Sequence, residues 1–292
     1  MRQQGPEESQ FRDVLSRLSN GTFSKPDWEW LQSQSMCNFD EVKKADFRDT
    51  ATMLCARKVD CKKQNIYRIK SLNNPIAPIQ AVNNCAKAKS AEPSTAGGLF
   101  NSTLLAVGAQ MILTTNVWKE AGLTNGTLCE VREIVYRPGT SPPQLPIFVL
   151  VHVPDYKGPS FSSVEPSIVP IAAIERNWNS QKQFCKRSMI PLQPAYALSI
   201  HKSQGMSLPK IIANLWHKEF SQGLTYVALS RCTKISNLAL EPFPTMIRFI
   251  KMFKSKAFLS RKEEDDRLKQ VELLTIERGF LGDTFVLSQE AE

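Results

Sequence analysis

No Cys-x-x-Cys pair occurs in the sequence and its three histidines stand far apart, so the ligand spacing of a structural zinc site is absent. The seven cysteines, at 37, 55, 61, 85, 129, 185 and 232, are odd in number and form no framework. Such a set reads as reduced, intracellular thiols, most of them acting as small buried hydrophobes. No apolar run approaches the ~20 residues that cross a bilayer, which argues against a membrane-spanning helix. The opening residues MRQQGPEESQ are polar and hold no signal-peptide core. No internal repeat is visible. The chain is therefore expected to be soluble and intracellular, with no membrane partner. Acidic residues are in deficit, with 28 Asp and Glu against 37 Lys and Arg, a formal net charge of +9. That excess suits a polyanion such as nucleic acid.

What is present falls into two rhythms. Phe11, Val14, Leu15 and Leu18 share one helical face, and Asn20-Gly21 ends that helix. Ser24, with Pro26 behind it, opens a second short helix carrying Trp28 and Leu31. Ala51 to Ala56 reads as a buried strand, and the basic stretch after it keeps Ile66, Ile69 and Leu72 on one face as a helix. Strand followed by helix points to α/β. From about Leu99 to Ile190 the pattern changes to short β-rich runs separated by Gly, Pro and Asn, with turns at Asn125-Gly126, Pro138-Gly139 and Pro142-Pro143. That pattern predicts a small antiparallel sheet or barrel inserted into the α/β domain. After Pro191 the α/β rhythm returns: a helix over 195–204 with Gly205 at its C-cap, a strand over 210–215, a helix over 220–231, a strand over 238–241 and a basic amphipathic helix over 244–258. A charged tail follows, read as partly disordered.

Three segments carry chemistry. The first is Gly108-Ala-Gln-Met-Ile-Leu-Thr-Thr-Asn116, continuing through Gly122-Leu-Thr-Asn-Gly126. The second is Ala195-Tyr-Ala-Leu-Ser-Ile-His-Lys-Ser-Gln-Gly-Met-Ser-Leu208, and the third Gly223-Leu-Thr-Tyr-Val-Ala-Leu-Ser-Arg-Cys232. His201, Lys202 and Ser203 precede a Gly that turns the chain sharply. A cation, a hydroxyl and free loop amides on such a turn can grip a phosphate backbone without reading bases. A solvated Lys and a core His fit the same residues. Arg231 ends the apolar stretch from Tyr226, which holds it at a fixed position. Its planar, permanent charge suits a transferred phosphoryl group, while a helix C-terminal Arg is also favoured by the dipole alone.

In order and spacing the three segments closely resemble the C-terminal half of the PIF-type and RecD-like superfamily-1 5′→3′ DNA helicases, including those of Helitron transposons. The resemblance spans roughly residues 11 to 243, and the second and third segments look like that family's motifs V and VI. It implies a RecA-like parallel-sheet domain at 1–98 and 190–250, a small antiparallel β-barrel insert at 99–189 and a basic helix with a charged tail at 251–292. It implies Arg231 as an arginine finger, with Gln204 and Gly205 where the family couples nucleotide to DNA. His201, Lys202 and Ser203 would hold single-stranded DNA, together with Asn116 and Asn125 of the insert, although Asn-Gly is also a good hairpin turn. Arg57-Lys58 lies where motif IV is expected. Arg57 is taken as ATP-binding, and a solvated basic pair fits there as well. Trp118 could stack on a base, but the barrel core suits it better.

A complete helicase of this family needs a Gly-x-x-x-x-Gly-Lys-[Ser/Thr] loop and an acidic pair for Mg²⁺. Neither Gly97-Gly98 nor Gly21-Thr-Phe-Ser-Lys25 has that spacing. The expectation is thus a fragment: a second motor half whose ATP and Mg²⁺ are held by a missing P-loop domain, in cis or in trans. The chain alone is expected to be inactive as an ATP hydrolase. The resemblance further implies work in DNA repair, recombination and telomere maintenance, with the nucleus favoured over the mitochondrion. A non-enzymatic single-strand-binding relic, or a regulatory partner of an intact helicase, is the alternative.

Overall fold

A computed structural model of the chain describes residues 2–161, 165–181, 183–216 and 223–277. Helix α1 (Ser9–Asn20) buries the expected stripe of Phe11, Val14, Leu15 and Leu18. Gly21 ends it at φ 76°, and a Cβ there would also meet the Phe258 ring at 2.6 Å. At the start of α2 (Lys25–Gln32), the amide and hydroxyl of Ser24 donate to Asp27 Oδ2 at 2.9 and 2.8 Å. Arg17 forks onto the same carboxylate at 2.6–3.1 Å, tying α1 to α2. Helix α3 (Glu41–Thr50), capped by Asp40, leads into strand β1 (Thr52–Cys55) and helix α4 (Lys58–Ser71).

The antiparallel region follows: β2 (Ala77–Gln80), β3 (Val82–Asn83), helix α5 (Ala86–Ser90), β4 (Ser102–Leu105), β5 (Gln110–Leu113), β6 (Leu128–Val135), β7 (Phe148–His152), β8 (Ile168–Ala172), β9 (Ile174–Ser180), β10 (Gln183–Met189) and β11 (Leu192–Pro194). The strands form sheets in the orders β11-β5-β6-β7-β8, β3-β10-β9 and β2-β4. Their pairing starts at Ala77 and ends at Pro194, outside the 99–189 span expected, because β2, β3 and β11 each pair with a strand of the insert. A buried cluster including Leu105, Met111, Val131, Val149 and Ile171 fills this region. Arg187, wholly buried, donates to the carbonyls of Leu99, Ala88 and Ala91 and to Asn83 Oδ1, and has no carboxylate partner among the described residues.

The chain then returns to β12 (Ala197–Ser199), β13 (Ile211–Asn214), α6 (Leu224–Leu229), β14 (Leu238–Leu240), α7 (Met246–Phe253) and α8 (Lys256–Glu277). Strands β12, β1, β13 and β14 form, in that order, one wholly parallel sheet. Alternate residues serve its two faces. Leu54, Leu198, Ile211 and Ala213 pack with α1, α2 and α6, whereas Ile212 and Ala239 pack with Phe47 of α3. Asn65 of α4 closes the outer edge of β12, its side chain bonding both the amide and the carbonyl of Ala197 at 2.7 and 2.9 Å.

Three expectations change. Residues 195–204 are not helical but form β12 and a tight turn, because Ala197 and Leu198 are buried as an edge strand beside β1. Helix α6 covers six residues, shorter than the expected 220–231, whose first three residues lie outside the described ones. The expected helix over 244–258 is two helices, broken at Lys254 and Ser255, where Ser255 Oγ turns back onto the Met252 carbonyl. The charged run Arg261–Asp266 is helical within α8, and the rest of the tail from residue 278 lies outside the described residues. Among the described residues no helix is long and apolar enough to cross a membrane, and no cluster of His, Cys, Asp and Glu could hold a metal ion.

Candidate functional site

Strands β1 and β12 run side by side, with Cys55 opposite Ser199 and the Ile200 amide bonded to the Cys55 carbonyl at 3.0 Å. Arg57 and His201 each stand two residues past that pair, so both leave the same carboxyl end of the parallel sheet. That end is where open α/β sheets place ligands. Arg57 and Lys58 are exposed at the start of α4.

After β12 the chain makes a compact turn over 200–205. The Ser203 amide bonds the Ser199 carbonyl at 3.1 Å, and the Gln204 amide bonds the His201 carbonyl at 3.2 Å. Gly205 closes the turn at φ 82°, where an L side chain would be strained. Lys202 is half-buried, with Nζ 5.7 Å from the centre of the Phe100 ring, and burial pulls its pKa below the usual lysine range. His201, Gln204 and Gly205 are exposed. Ser203 is not: it is 0% exposed, and its hydroxyl donates inward to the Ile200 carbonyl at 2.8 Å. The hydroxyl expected to grip a phosphate instead pins the turn, because the chain reverses where a helix end was expected.

Arg231 stands two residues beyond α6 and is only 6% exposed. Its Nε donates to the Val227 carbonyl at 2.9 Å and Nη2 to Ser230 Oγ at 2.9 Å. Nη1 makes two long bonds of 3.4 Å, to the carbonyls of Ser203 and Met206. The second and third motifs are therefore joined through one guanidinium. The Leu208 amide also bonds the Arg231 carbonyl at 3.0 Å.

Sequence reasoning missed the residues that complete this cluster. Arg2 donates to the Gly205 carbonyl and to Ser207 Oγ, each at 3.1 Å, and Gln3 donates to the Cys232 carbonyl at 2.6 Å. Burial first, and the like charge of Arg2 second, pull the Arg231 pKa below its usual range. Neither guanidinium has a carboxylate partner among the described residues. Two nearby cations left unneutralised in this way suit an anion with several oxygens.

The insert reaches the same turn. Asn116 Oδ1 accepts from the Asn125 amide at 2.8 Å, so these two predicted residues are joined as one exposed hairpin. The next residue, Gly126 at φ 100°, faces the Met206 side chain, which a Cβ there would meet at 3.7 Å. Trp118 is 44% exposed beside that hairpin, bridged to Leu123, and so does not cap a core.

No family model matches the chain. The rat ATP-dependent DNA helicase PIF1 is 30% identical over 203 residues, covering 68% of this chain and 28% of that protein. Human PIF1 is 26% identical over 230 residues, 74% of this chain and 32% of the relative. The chain is a homologue of the PIF1-type helicases. A short stretch is closer still to a Trypanosoma brucei relative, PIF7, at 56% identity over 54 residues, 18% of this chain and 5% of that one. Among solved structures, Bacteroides Pif1 with ADP-AlF4 superposes with a TM-score of 0.62 at 20% identity, over 93% of this chain and 55% of that one. Pif1 from Candida albicans gives 0.60 at 21% identity, over 87% and 58%. These likenesses establish the RecA-like fold of the PIF1 helicases, a parallel sheet accompanied by antiparallel ones. The chain spans a little over half of those solved chains and about a third or less of the curated relatives.

Proposed function

We propose that the chain is the second motor half of an ATP-dependent 5′→3′ DNA helicase, with the α/β parts on either side of the insert forming that half. It holds single-stranded DNA at the carboxyl end of its parallel sheet and presents Arg231 to ATP held by a P-loop domain. One observation carries this reading: Arg231 and Arg2 meet on the turn that carries His201, Lys202, Gln204 and Gly205, with no carboxylate among the described residues to neutralise them.

The residues fit a phosphate chain at its outer end only. ATP, when bound on the partner domain with Mg²⁺, supplies a transferable phosphoryl group whose charge grows during transfer. The long bonds from Arg231 Nη1 to the Ser203 and Met206 carbonyls lie beyond the usual ~2.9–3.0 Å and exchange readily for phosphate oxygens. Nε stays fixed on Val227 at 2.9 Å and keeps the guanidinium aimed. Gln204, exposed between the DNA-facing residues and Gly205, is placed to sense either partner, while Arg57 stands at the same end of the sheet. On the DNA side, His201 and Lys202 hold the backbone, and the Asn116–Asn125 hairpin approaches the same turn through Gly126 and Met206; Ser203 positions the turn. PIF1 relatives are named as DNA helicases, and one solved Bacteroides Pif1 is bound to ssDNA. An intracellular, DNA-containing compartment follows from the same reading.

The test joins a P-loop domain from a PIF1-type helicase ahead of residue 1 and measures DNA-stimulated ATP turnover and unwinding of a 5′-tailed duplex. Turnover and unwinding that both depend on Arg231 support the proposal. A chimera that binds single strands but turns over no ATP, with its P-loop domain shown to bind nucleotide, would overturn it in favour of a binding module.

A further inference from the structure

A pair of thiols in the antiparallel region is built as a cross-strand couple. Strands β3 and β10 are antiparallel, with Val82 opposite Ser188 and Asn83 opposite Arg187. Two residues further along that register, Cys85 falls opposite Cys185. Hydrogen bonds extend the ladder through the position between: the Asn84 amide donates to the Lys186 carbonyl at 3.2 Å, and the Lys186 amide donates to Asn84 Oδ1 at 2.8 Å. Continued past Asn83–Arg187 by the single backbone bond at Asn84, the register puts Cys85 and Cys185 at the alternate kind of site, for which the usual spacing of facing Cα atoms is about 4.5 Å. That separation lies within the ~4.4–6.8 Å that a disulfide spans. The two Sγ atoms stand 3.7 Å apart across 100 residues of sequence.

We propose that Cys85 and Cys185 are a site of reversible oxidation, closing to a disulfide under hydrogen peroxide. Cys185 is fully buried and Cys85 half-buried, so the oxidant reaches Cys85 first. The Cys85 sulfur attacks the peroxide oxygen and breaks the O–O bond, giving a sulfenic acid and one water. The Cys185 sulfur then attacks that sulfenic sulfur, the S–O bond breaks, and a second water leaves with the remaining proton. Two electrons pass from the two thiols to one peroxide, and a dithiol reductant reverses the change. Among the other cysteines, Cys55, Cys61, Cys129 and Cys232 are buried, and Cys37 is exposed. The bridge would act on a segment that already has an anchor. Arg187, two residues along β10, holds the carbonyls of Ala88, Ala91 and Leu99 from the chain that follows Cys85. Oxidation fastens the same segment covalently at its other end.

The experiment treats the full 292-residue chain with stoichiometric hydrogen peroxide under native conditions, blocks remaining thiols with iodoacetamide and maps the peptides. The expected product is a peptide pair linked through Cys85 and Cys185, lost on reduction and unaffected by Cys37→Ser. The oxidised chain should melt at a higher temperature than the reduced one, and Cys85→Ser should abolish that difference. Recovery of Cys85 as sulfinic acid, or joined to Cys37 of a second molecule, with Cys185 alkylated only after unfolding, would overturn the proposal. The map of the unmodified sequence decides this even if a serine variant folds poorly.

Discussion

Arg231 Nη1 lies 3.4 Å from the carbonyl oxygen of Ser203, and the Ser203 hydroxyl is spent on the Ile200 carbonyl 2.8 Å away. Ser203 is thus the floor on which the guanidinium rests, not a hand reaching for DNA. Ser203→Ala should lower stability by about 1 kcal/mol, the usual net worth of one such bond. The slope of single-strand affinity against salt should not change, because the hydroxyl touches no phosphate. Denaturant unfolding and salt-dependent anisotropy check both halves, and a shallower salt slope would restore Ser203 to the DNA surface.

Lys202 makes the opposite prediction. Its ammonium stands 5.7 Å from the centre of the Phe100 ring, and burial already costs it solvation. A phosphate beside it recovers part of that cost. Lys202→Ala should weaken binding to every single-stranded sequence about equally, and the slope of log K against log salt should become shallower by ~0.7, the share of one phosphate no longer neutralised. Titration of homopolymer and mixed-sequence oligonucleotides at several salt concentrations measures this. A base-selective effect would count against a backbone grip.

The legible parts of this chain are those whose signals are local. The stripe Phe11, Val14, Leu15, Leu18 and the start of α2 at Ser24 and Pro26 need only a few neighbouring residues to be recognised. The turns of the insert announce themselves through Asn125-Gly126 and its kind. Residues 195–204 read as helix because a short run of Ala, Leu and Ile looks the same at period 3.6 or when wholly buried. Only the pairing of Met53 with Ala197 decides for strand, and those two residues lie half the chain apart. Arg2 is invisible for the same reason: nothing near it in a polar opening hints that it meets Gly205. Ser203 sits in the right motif, but its inward rotation follows from a turn that a helical reading does not contain.

Asp27 gives a stability test away from the site. Burial alone would raise its pKa, but the fork from Arg17 and the two bonds from Ser24 outweigh that and hold it below the usual value. A folded pKa below the unfolded one stabilises the protein above the unfolded value, about 3.9, and the contribution is lost as pH falls through the folded value. Asp27→Asn should therefore destabilise the chain by about 1–3 kcal/mol near neutrality. The gap between the two proteins should close below about pH 4. Melting curves from pH 7 to 3 measure it, and a gap constant across that range would mean that Asp27 acts through packing alone.

Arg231 offers the sharpest test, in the motor reconstituted with a P-loop domain ahead of residue 1 so that Arg2 keeps its place. If the guanidinium stabilises the phosphoryl group in transfer, Arg231→Ala should lower kcat by ~10³ or more and leave nucleotide affinity nearly unchanged. Arg231→Lys should recover little, since an ammonium cannot hold Val227 through one nitrogen and a phosphate through two others. A purely structural arginine behaves differently. Its removal would take one bond each from the Val227, Ser203 and Met206 carbonyls, lower the melting temperature and leave turnover per folded molecule almost intact, and Lys would rescue much of the stability. Arg2→Ala in the same motor separates the two further: the like charge it removes should let the Arg231 pKa rise, while a phosphate that both arginines share should be held less tightly. Turnover, melting temperature and nucleotide affinity, measured on one preparation of each variant, distinguish these outcomes. Turnover restored by lysine to within a few-fold of the parent would end the assignment of Arg231 as the residue that meets the phosphoryl group.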